Sequence, residues 1–520
     1  MHDNENGDTT QLRYITTAIP YVNAAPHIGF ALEAVQTDTL ARFYRQKGCC
    51  VRFQTGTDEN SLKNVQAAEI AGIPVAALVE RNADRFKALR ESLDLSFDKF
   101  IRTSVDQRHR QGVEHLWNQC YDRGDIYKRA YSGLYCIDCE QFYKPDDLED
   151  GKCPEHGTTP EFVEEENWFF RLSRFESALR DLYRQDAIQI VPDTRRNEVL
   201  SWIAGGLEDF SISRSATRAR GWGIPVPNDP DQVIYVWFDA LGNYITPLGY
   251  GDRDNEIEAW WSDASSREHV IGKGITRFHT IYWPAILLSA GLSLPTRILV
   301  HGYVTVEGRK IGKSNGNAID PVPLAQDFGT DALRYFLLRH IRPTSDGDFS
   351  RERFRQAYES ELAGQFGNLV HRVLSMIERY CGAVIPTPPT GFTESDELIS
   401  AASSLPERVE AHLAAFAFDR AIEDVWAFIA RANRYVTEQA PWDLAKSAAQ
   451  SGDEGKASLA KLKGVLFSLS TALHVIAECI NPVLPSTGKK LLAKLDSPGG
   501  NLTQLEGLQV TAGEPLFPKR

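Results

Sequence analysis

The sequence predicts an α/β protein: a doubly wound parallel sheet, interrupted by a cysteine-bearing insertion and followed by a helical C-terminal half. Three observations lead there. Short apolar runs alternate with helical apolar periods over residues 12–117 and again over 226–321, the pattern of strands and crossover helices. Between them, over 118–225, the alternation breaks into aromatic-rich short strands and turns that hold a cluster of cysteines. From residue 322 onward the helical period dominates.

The elements follow in order. Residues 1–11 are polar and acidic and read as a disordered tail, with no basic-then-apolar leader. Residues 14–18 are an apolar run read as the first strand. Pro26-His27-Ile28-Gly29-Phe30 follows and opens a helical period over 31–46. A strand, a tight turn and a helix N-terminus make a phosphate site, because unpaired backbone N–H groups point outward there. His27 adds a donor, and Gly29 lets a base or a backbone approach closely. Residues 51–55 read as a strand and 62–71 as a helix. After the insertion, strands are expected at 232–238, 269–272 and 296–301, completing the first sheet.

Residues 307–316 form a loop carrying Lys310, Lys313 and Ser314. Lysine ammonium is a movable point charge suited to the negative charge that spreads over a triphosphate under attack. Beyond it, helical periods cover 359–380, 405–435, 442–449 and 457–480, and a Pro-, Thr- and Gly-rich loop covers 384–393. There is no internal repeat and no coiled-coil heptad. No apolar stretch reads as long enough to span a membrane.

The formal charge of −13 argues against indiscriminate nucleic-acid binding, while leaving room for a local basic face. Of the eight cysteines, Cys49, Cys50, Cys120, Cys381 and Cys479 read as isolated thiols. Cys136-x-x-Cys139 and, after a spacer of 13 residues, Cys153-Pro-Glu-His156 form two knuckles. Ligands of this type and spacing close a tetrahedral zinc site with no open position, hence a structural one. The cysteine usage fits a reducing, cytoplasmic compartment.

These residues together resemble the methionyl-tRNA synthetases, a class I aminoacyl-tRNA synthetase family, over nearly the whole chain. The resemblance is carried by Ala18-Ile19-Pro20-Tyr21-Val22-Asn23 before His27, by Thr55-Gly56-Thr57-Asp58-Glu59, and by Tyr235-Val236-Trp237-Phe238-Asp239-Ala240-Leu241 with Asn243-Tyr244. It continues through His269-Val270-Ile271-Gly272-Lys273, Arg277-Phe278-His279, Lys310-Ile311-Gly312-Lys313-Ser314, and Asn433-Arg434-Tyr435 with Ala440-Pro441-Trp442.

The resemblance implies a Rossmann-type catalytic domain (12–117 and 226–321) split by the zinc-bearing connective insertion (118–225). A stem-contact segment (322–358) and an α-helical anticodon-binding bundle (359–520) follow. It implies methionine activation with ATP and transfer to tRNA(Met). The methionine pocket would fall on Ala18, Ile19, Tyr21, Asp58, Trp237, Ala240, Leu241, Tyr244, Phe278 and His279, with Asp58 on the ammonium. ATP would lie on His27, Gly29, Lys310, Lys313 and Ser314, with Mg2+ travelling on the nucleotide. The catalytic set would be His27, Lys310 and Lys313. Asn368, Arg372 and Trp442 would read the anticodon by stacking and edge hydrogen bonds.

The chain departs from the family at several points. Phe30 stands where a second histidine is usual, and losing one transition-state donor costs about 2–4 kcal/mol. Asn60-Ser61 replaces His-Gly, Gly274 replaces an acid, and Ile311-Gly312 replaces Met-Ser. The appendix of longer, dimeric members is not seen after Phe517-Pro518, so a monomer is expected. Two further readings accommodate the departures: an adenylating paralogue that does not charge tRNA, and a non-catalytic tRNA-binding paralogue.

Overall fold

The computed structural model describes residues 11–136, 141–154, 157–253, 255–311, 316–499 and 505–519. They fall into two compact units, one of residues up to 37, 47–90 and 96–301, the other of residues 38–46, 91–95 and 302 onward.

The first unit is built on a six-stranded parallel sheet in the order Lys99–Arg102, Cys50–Thr57, Leu12–Thr17, Ser266–Gly272, Arg297–His301, Gln189–Val191. Leu12–Thr17 takes a central place because its last four residues are buried whichever face they point to, as happens in a parallel sheet covered on both sides. From it the chain winds outward to one side through Cys50–Thr57 and Lys99–Arg102. It later returns to the other side through Ser266–Gly272 and Arg297–His301. The switch point therefore lies between Leu12–Thr17 and Ser266–Gly272, and the crevice outside their carboxyl ends is where such sheets bind ligands. Gly56 is required by a close approach: a Cβ there would sit 2.3 Å from the Ile101 carbonyl oxygen of the neighbouring strand.

Local signals fix the helices. Ser61 caps Leu62–Ala71, accepting from the Lys63 N–H at 3.1 Å, and Gly72 ends it in the left-handed region. Asp106 caps Gln107–Asp122 in the same way, accepting from Arg108 and His109.

Three expectations are corrected. The run 232–238 is not a strand of the central sheet. Its first part belongs to Asp229–Ile234, which pairs antiparallel with Ser213–Ser215 and Pro225–Val226, and its second part is the helix Val236–Gly242. An apolar run states that a segment is buried, not which neighbour it bonds.

The second correction concerns 118–225. Gln189–Val191 from within it forms the edge strand of the central sheet. The flanking helices Glu176–Arg184 and Asp193–Ala204 place Leu179, Tyr183, Val199 and Ile203 in the core that also holds Ile298 and Val300. What stands apart is a four-stranded antiparallel sheet in the order Gln141–Tyr143, Ile126–Cys136, Glu161–Phe170, Phe210–Ser211.

The third is in the second unit, where the expected helix 405–435 is two helices, Glu397–Ala414 and Phe418–Gln439. The chain turns between them at buried Phe416, whose φ is 60°. No Gly or Pro announces this turn.

The second unit is otherwise helical, with a small sheet of Val304–Val306, Arg309–Lys310 and Gly347–Phe349. Among the described residues one helix, Asp453–Ile480, is long and apolar enough to cross a membrane, contrary to the sequence reading. Most of it is buried, against Glu397–Ala414, Pro441–Ala448 and Pro485–Lys494. At the base of this unit Arg334 has no exposed surface. Its guanidinium meets Asp38 at 2.8 Å and donates to the carbonyls of Val483 (2.8 Å), Leu93 (3.1 Å) and Pro482 (3.2 Å), so the buried charge is paired and its donors are used.

Candidate active site

The residues assigned to the methionine pocket gather at the carboxyl ends of the central strands. Ala18, Ile19 and Tyr21 follow Leu12–Thr17, Asp58 follows Cys50–Thr57, and Phe278 and His279 follow Ser266–Gly272. Trp237, Ala240, Leu241 and Tyr244 recur at i, i+3, i+4 and i+7, one face of the helix Val236–Gly242 and the residues after it. Tyr21 and Asp58 pair through their backbones, and the Asp58 N–H donates to the Pro20 carbonyl at 2.8 Å. Asp58 is almost fully buried.

The box has aromatic walls. Trp237 stacks on Phe278 with centroids 3.8 Å apart and planes 5° from parallel, and Tyr21 meets the Trp237 ring edge-on at 6.4 Å. The Tyr244 hydroxyl lies 2.7 Å from His279 Nε2. His279 Nδ1 lies 2.9 Å from the Ile275 carbonyl, which only accepts. So Nδ1 carries the proton, Nε2 accepts, and Tyr244 donates. Burial lowers the His279 pKa to about 4 and raises that of Tyr244 well above its ordinary value, so both are neutral at pH 7. His269, stacked on Tyr244 at 4.0 Å and lowered by burial as well, completes a neutral floor. Buried Trp237 Nε1 has no hydrogen-bond partner among the described residues. An apolar, polarizable chamber with few oriented polar groups suits a thioether.

His27 caps the helix Ile28–Gln46. The Gly29 N–H donates to His27 Nδ1 at 3.1 Å, which places the ring proton on Nε2 and leaves that atom as a donor. Burial lowers the His27 pKa, keeping the ring neutral. Phe30 turns the other way. Its ring meets Phe86 edge-on at 4.9 Å and packs on the cluster of Val22, Val79, Ala83 and Phe86.

Lys310 belongs to the second unit and is exposed, its ammonium 5.4 Å from the centre of the Tyr303 ring. Lys313 and Ser314 lie outside the described residues. In the helical half, Asn368 opens Asn368–Cys381, and Arg372 one turn on holds its guanidinium 6.0 Å from the Trp442 ring centre. Trp442 is 40% exposed.

Of the residues expected to hold zinc, Cys136 and Cys153 are described and buried, and Cys139 and His156 lie outside the described residues. Thr158 joins the two thiols' segments, its hydroxyl 3.6 Å from Cys136 Sγ and its carbonyl accepting from the Cys153 N–H at 2.8 Å. Buried thiols such as Cys136, at the end of the strand Ile126–Cys136, and Cys153 are donors of the type that zinc takes.

Two groups beside the box were not singled out in the sequence. Arg214 is buried with its guanidinium 4.1 Å from the Tyr235 ring centre. Asp239 is paired with His109. An acid two residues after Trp237 is visible in the sequence, but its partner is 130 residues away along the chain and carries no local signal.

The model for tRNA synthetases class I (M) matches residues 13–158 and 139–374, which agrees with a parallel α/β core whose crevice holds an aromatic box. The fold is that of a class I aminoacyl-tRNA synthetase. The methionine–tRNA ligase of Mycobacterium tuberculosis (strain CDC 1551 / Oshkosh) is 42% identical over 513 residues, 97% of this chain and 96% of that protein. That of Mycobacterium leprae is 44% identical over 486 residues, 92% of this chain and 88% of that protein. The solved Mycobacterium tuberculosis methionyl-tRNA synthetase in complex with methionyl-adenylate superposes with a TM-score of 0.91 at 40% identity, covering 98% of this chain and 100% of that one. The chain belongs to the methionyl-tRNA synthetase family.

Proposed function

We propose that the chamber walled by Trp237, Phe278, Tyr244 and His279 is where this chain holds methionine while it charges tRNA(Met). The activity is that of an ATP-dependent methionine–tRNA ligase. The observation that carries the site is the stacked Trp237–Phe278 wall beside the neutral Tyr244–His279 pair, at the switch point of the sheet.

In this reading Ala18, Ile19, Ala240 and Leu241 line the chamber and Asp58 holds the methionine ammonium as a charge-assisted pair. The substrate carboxylate attacks the α-phosphorus of ATP. A carboxyl-O–P bond forms, the bond to the bridging oxygen breaks, and pyrophosphate leaves with the electron pair. No side chain is needed as a nucleophile, so the protein contributes position and charge. His27 Nε2–H and the N-terminus at Gly29 face the phosphates, and Lys310, Lys313 and Ser314 close on them. Mg2+ bound to ATP offsets phosphate charge. The terminal ribose hydroxyl of tRNA then attacks the methionyl carbonyl and AMP leaves. Asn368, Arg372 and Trp442 read the anticodon. Cys136, Cys139, Cys153 and His156 would hold a zinc ion, which would supply a structural cross-link to the insertion. The chain works in the cytoplasm as a monomer.

The test is ATP–pyrophosphate exchange with and without methionine, followed by tRNA charging. Methionine-dependent exchange that falls steeply in Lys313→Ala is expected. Exchange without charging would favour an adenylating role alone, and tRNA binding with neither activity would overturn the catalytic reading.

A further inference from the structure

One buried polar chain beside the methionine chamber takes no part in the chemistry above. Asp239 lies in the first turn of Val236–Gly242 and is fully buried. Its Oδ1 accepts from His109 Nε2 at 2.5 Å and its Oδ2 accepts from the Asn60 amide at 2.7 Å. His109, also fully buried, sits on Gln107–Asp122, and its Nδ1 is 2.8 Å from the Thr246 hydroxyl. A carboxylate accepts only, so His109 Nε2 carries a proton and donates it to Asp239, while Nδ1 shares a hydrogen bond with the Thr246 hydroxyl.

One imidazole therefore grips the segment 236–246 at Asp239 and at Thr246, and that segment carries Trp237, Ala240, Leu241 and Tyr244. The grip is built into the packing: a Cβ on Gly112, one turn beyond His109, would lie 2.5 Å from Thr246 Cγ2. At the other end of the chain, Asn60 is two residues beyond Asp58 on the same connection. Its amide is also 3.4 Å from the Thr103 carbonyl, which anchors it to the next strand's end. So the wall that carries Asp58 is tied to the wall that carries Trp237 through Asn60 and Asp239.

We propose that Asn60, Asp239, His109 and Thr246 form a clamp that sets the distance between these two walls and thereby the selection of the thioether side chain. His109 and Asp239 are positioning residues, and the proposal rests on the methionine-box reading. Contact with a polarizable sulfur decays within a fraction of an ångström, and a reacting group displaced by about 1 Å loses up to about a hundredfold in rate. The departure at Asn60 finds its place here, since a side-chain amide donates one hydrogen bond to Asp239 and another to a carbonyl.

The experiment uses the full chain and follows pyrophosphate exchange while varying methionine, its isostere with CH2 in place of sulfur, and ATP. His109→Leu and Asp239→Asn are expected to raise the methionine KM about tenfold or more and to shrink the preference over the isostere, with the ATP KM within about twofold. His109→Gln, which keeps one donor, recovers part of the loss. Asn60→Ala acts in the same direction and adds little in the His109→Leu background, as members of one network do. Equal rises in both KM values, or an unchanged methionine KM in folded Asn60→Ala and His109→Leu, overturn the clamp. If His109→Leu fails to fold, half-buried Asn60→Ala decides. Asp58→Ala separates the two readings: it abolishes methionine-dependent exchange if the box is right, and normal exchange in it overturns the box and the clamp with it.

Discussion

His279 illustrates how a single ring proton is assigned by its surroundings. The Ile275 carbonyl claims Nδ1–H, Tyr244 donates to Nε2, and burial keeps the ring neutral by lowering its pKa from 6.5 to about 4. In the window between these values the unfolded ring holds a proton that the folded ring does not. The unfolded state then binds more protons, so stability rises with pH there and is lost as pH falls from 6.5 toward 4. His269 and His27, also lowered by burial, add in the same direction. Thermal melts across this range should show a shallower slope for His279→Gln than for the unmodified chain. Equal slopes would mean that His279 is not held neutral.

Phe30 makes the opposite point at the same scale. Its ring is part of the apolar cluster with Phe86, so the position no longer offers a donor to a phosphate. Phe30→His should lower stability by about 1–3 kcal/mol, the cost of an unpaired polar group in such a cluster, with no gain in exchange. Phe30→Leu should keep most of both. A rise in exchange rate in Phe30→His would show that the turn is waiting for a second histidine.

At the scale of elements, two segments carry separable tasks. Trp442 stands partly exposed at the start of Pro441–Ala448, with the Arg372 guanidinium near its ring. It lies in the second unit, while the chamber proposed for methionine lies in the first. Trp442→Ala should therefore weaken tRNA charging by about 1–3 kcal/mol, the value of one stacked base, and leave methionine-dependent exchange intact. A matched loss in both would point to folding instead. In the insertion Cys136 and Cys153 are both buried, and Thr158 contacts each of their segments. Metal analysis should find one zinc per chain, lost in Cys136→Ser. Equal zinc in both proteins would place the metal elsewhere.

At the scale of the whole molecule, one buried ion pair offers a clear test of stability. Arg334 pairs with Asp38 and saturates three carbonyls without exposed surface. Arg334→Ala should cost about 3–5 kcal/mol, because it breaks a buried ion pair, leaves Asp38 to Arg42 alone at 2.7 Å, and takes the donor from three carbonyls. Denaturant unfolding reads this. A loss below 1 kcal/mol, equal to that of an exposed pair, would contradict the burial.

By itself the sequence determined which segments are strands and helices wherever the period was long or the cap was local. Leu62–Ala71 carries its own start and stop in Ser61 and Gly72. The Trp237 helix was hidden because its apolar face was read with its neighbour as one run, although its spacing of three and four residues was there to be seen. The family motifs also pointed to the residues that gather in the aromatic chamber at the carboxyl ends of the strands. Tertiary structure alone decided that Asp229–Ile234 leaves the central sheet, that three residues at Gln189–Val191 enter it, and that the chain turns at Phe416. It alone joined His109 to Asp239 and turned Phe30 into the apolar cluster. The reason is physical. Caps, turns and periods are set by neighbours a few residues away. A strand's partner, a buried acid's donor and the side on which a ring is covered are set by groups a hundred residues distant, whose arrival only packing can specify.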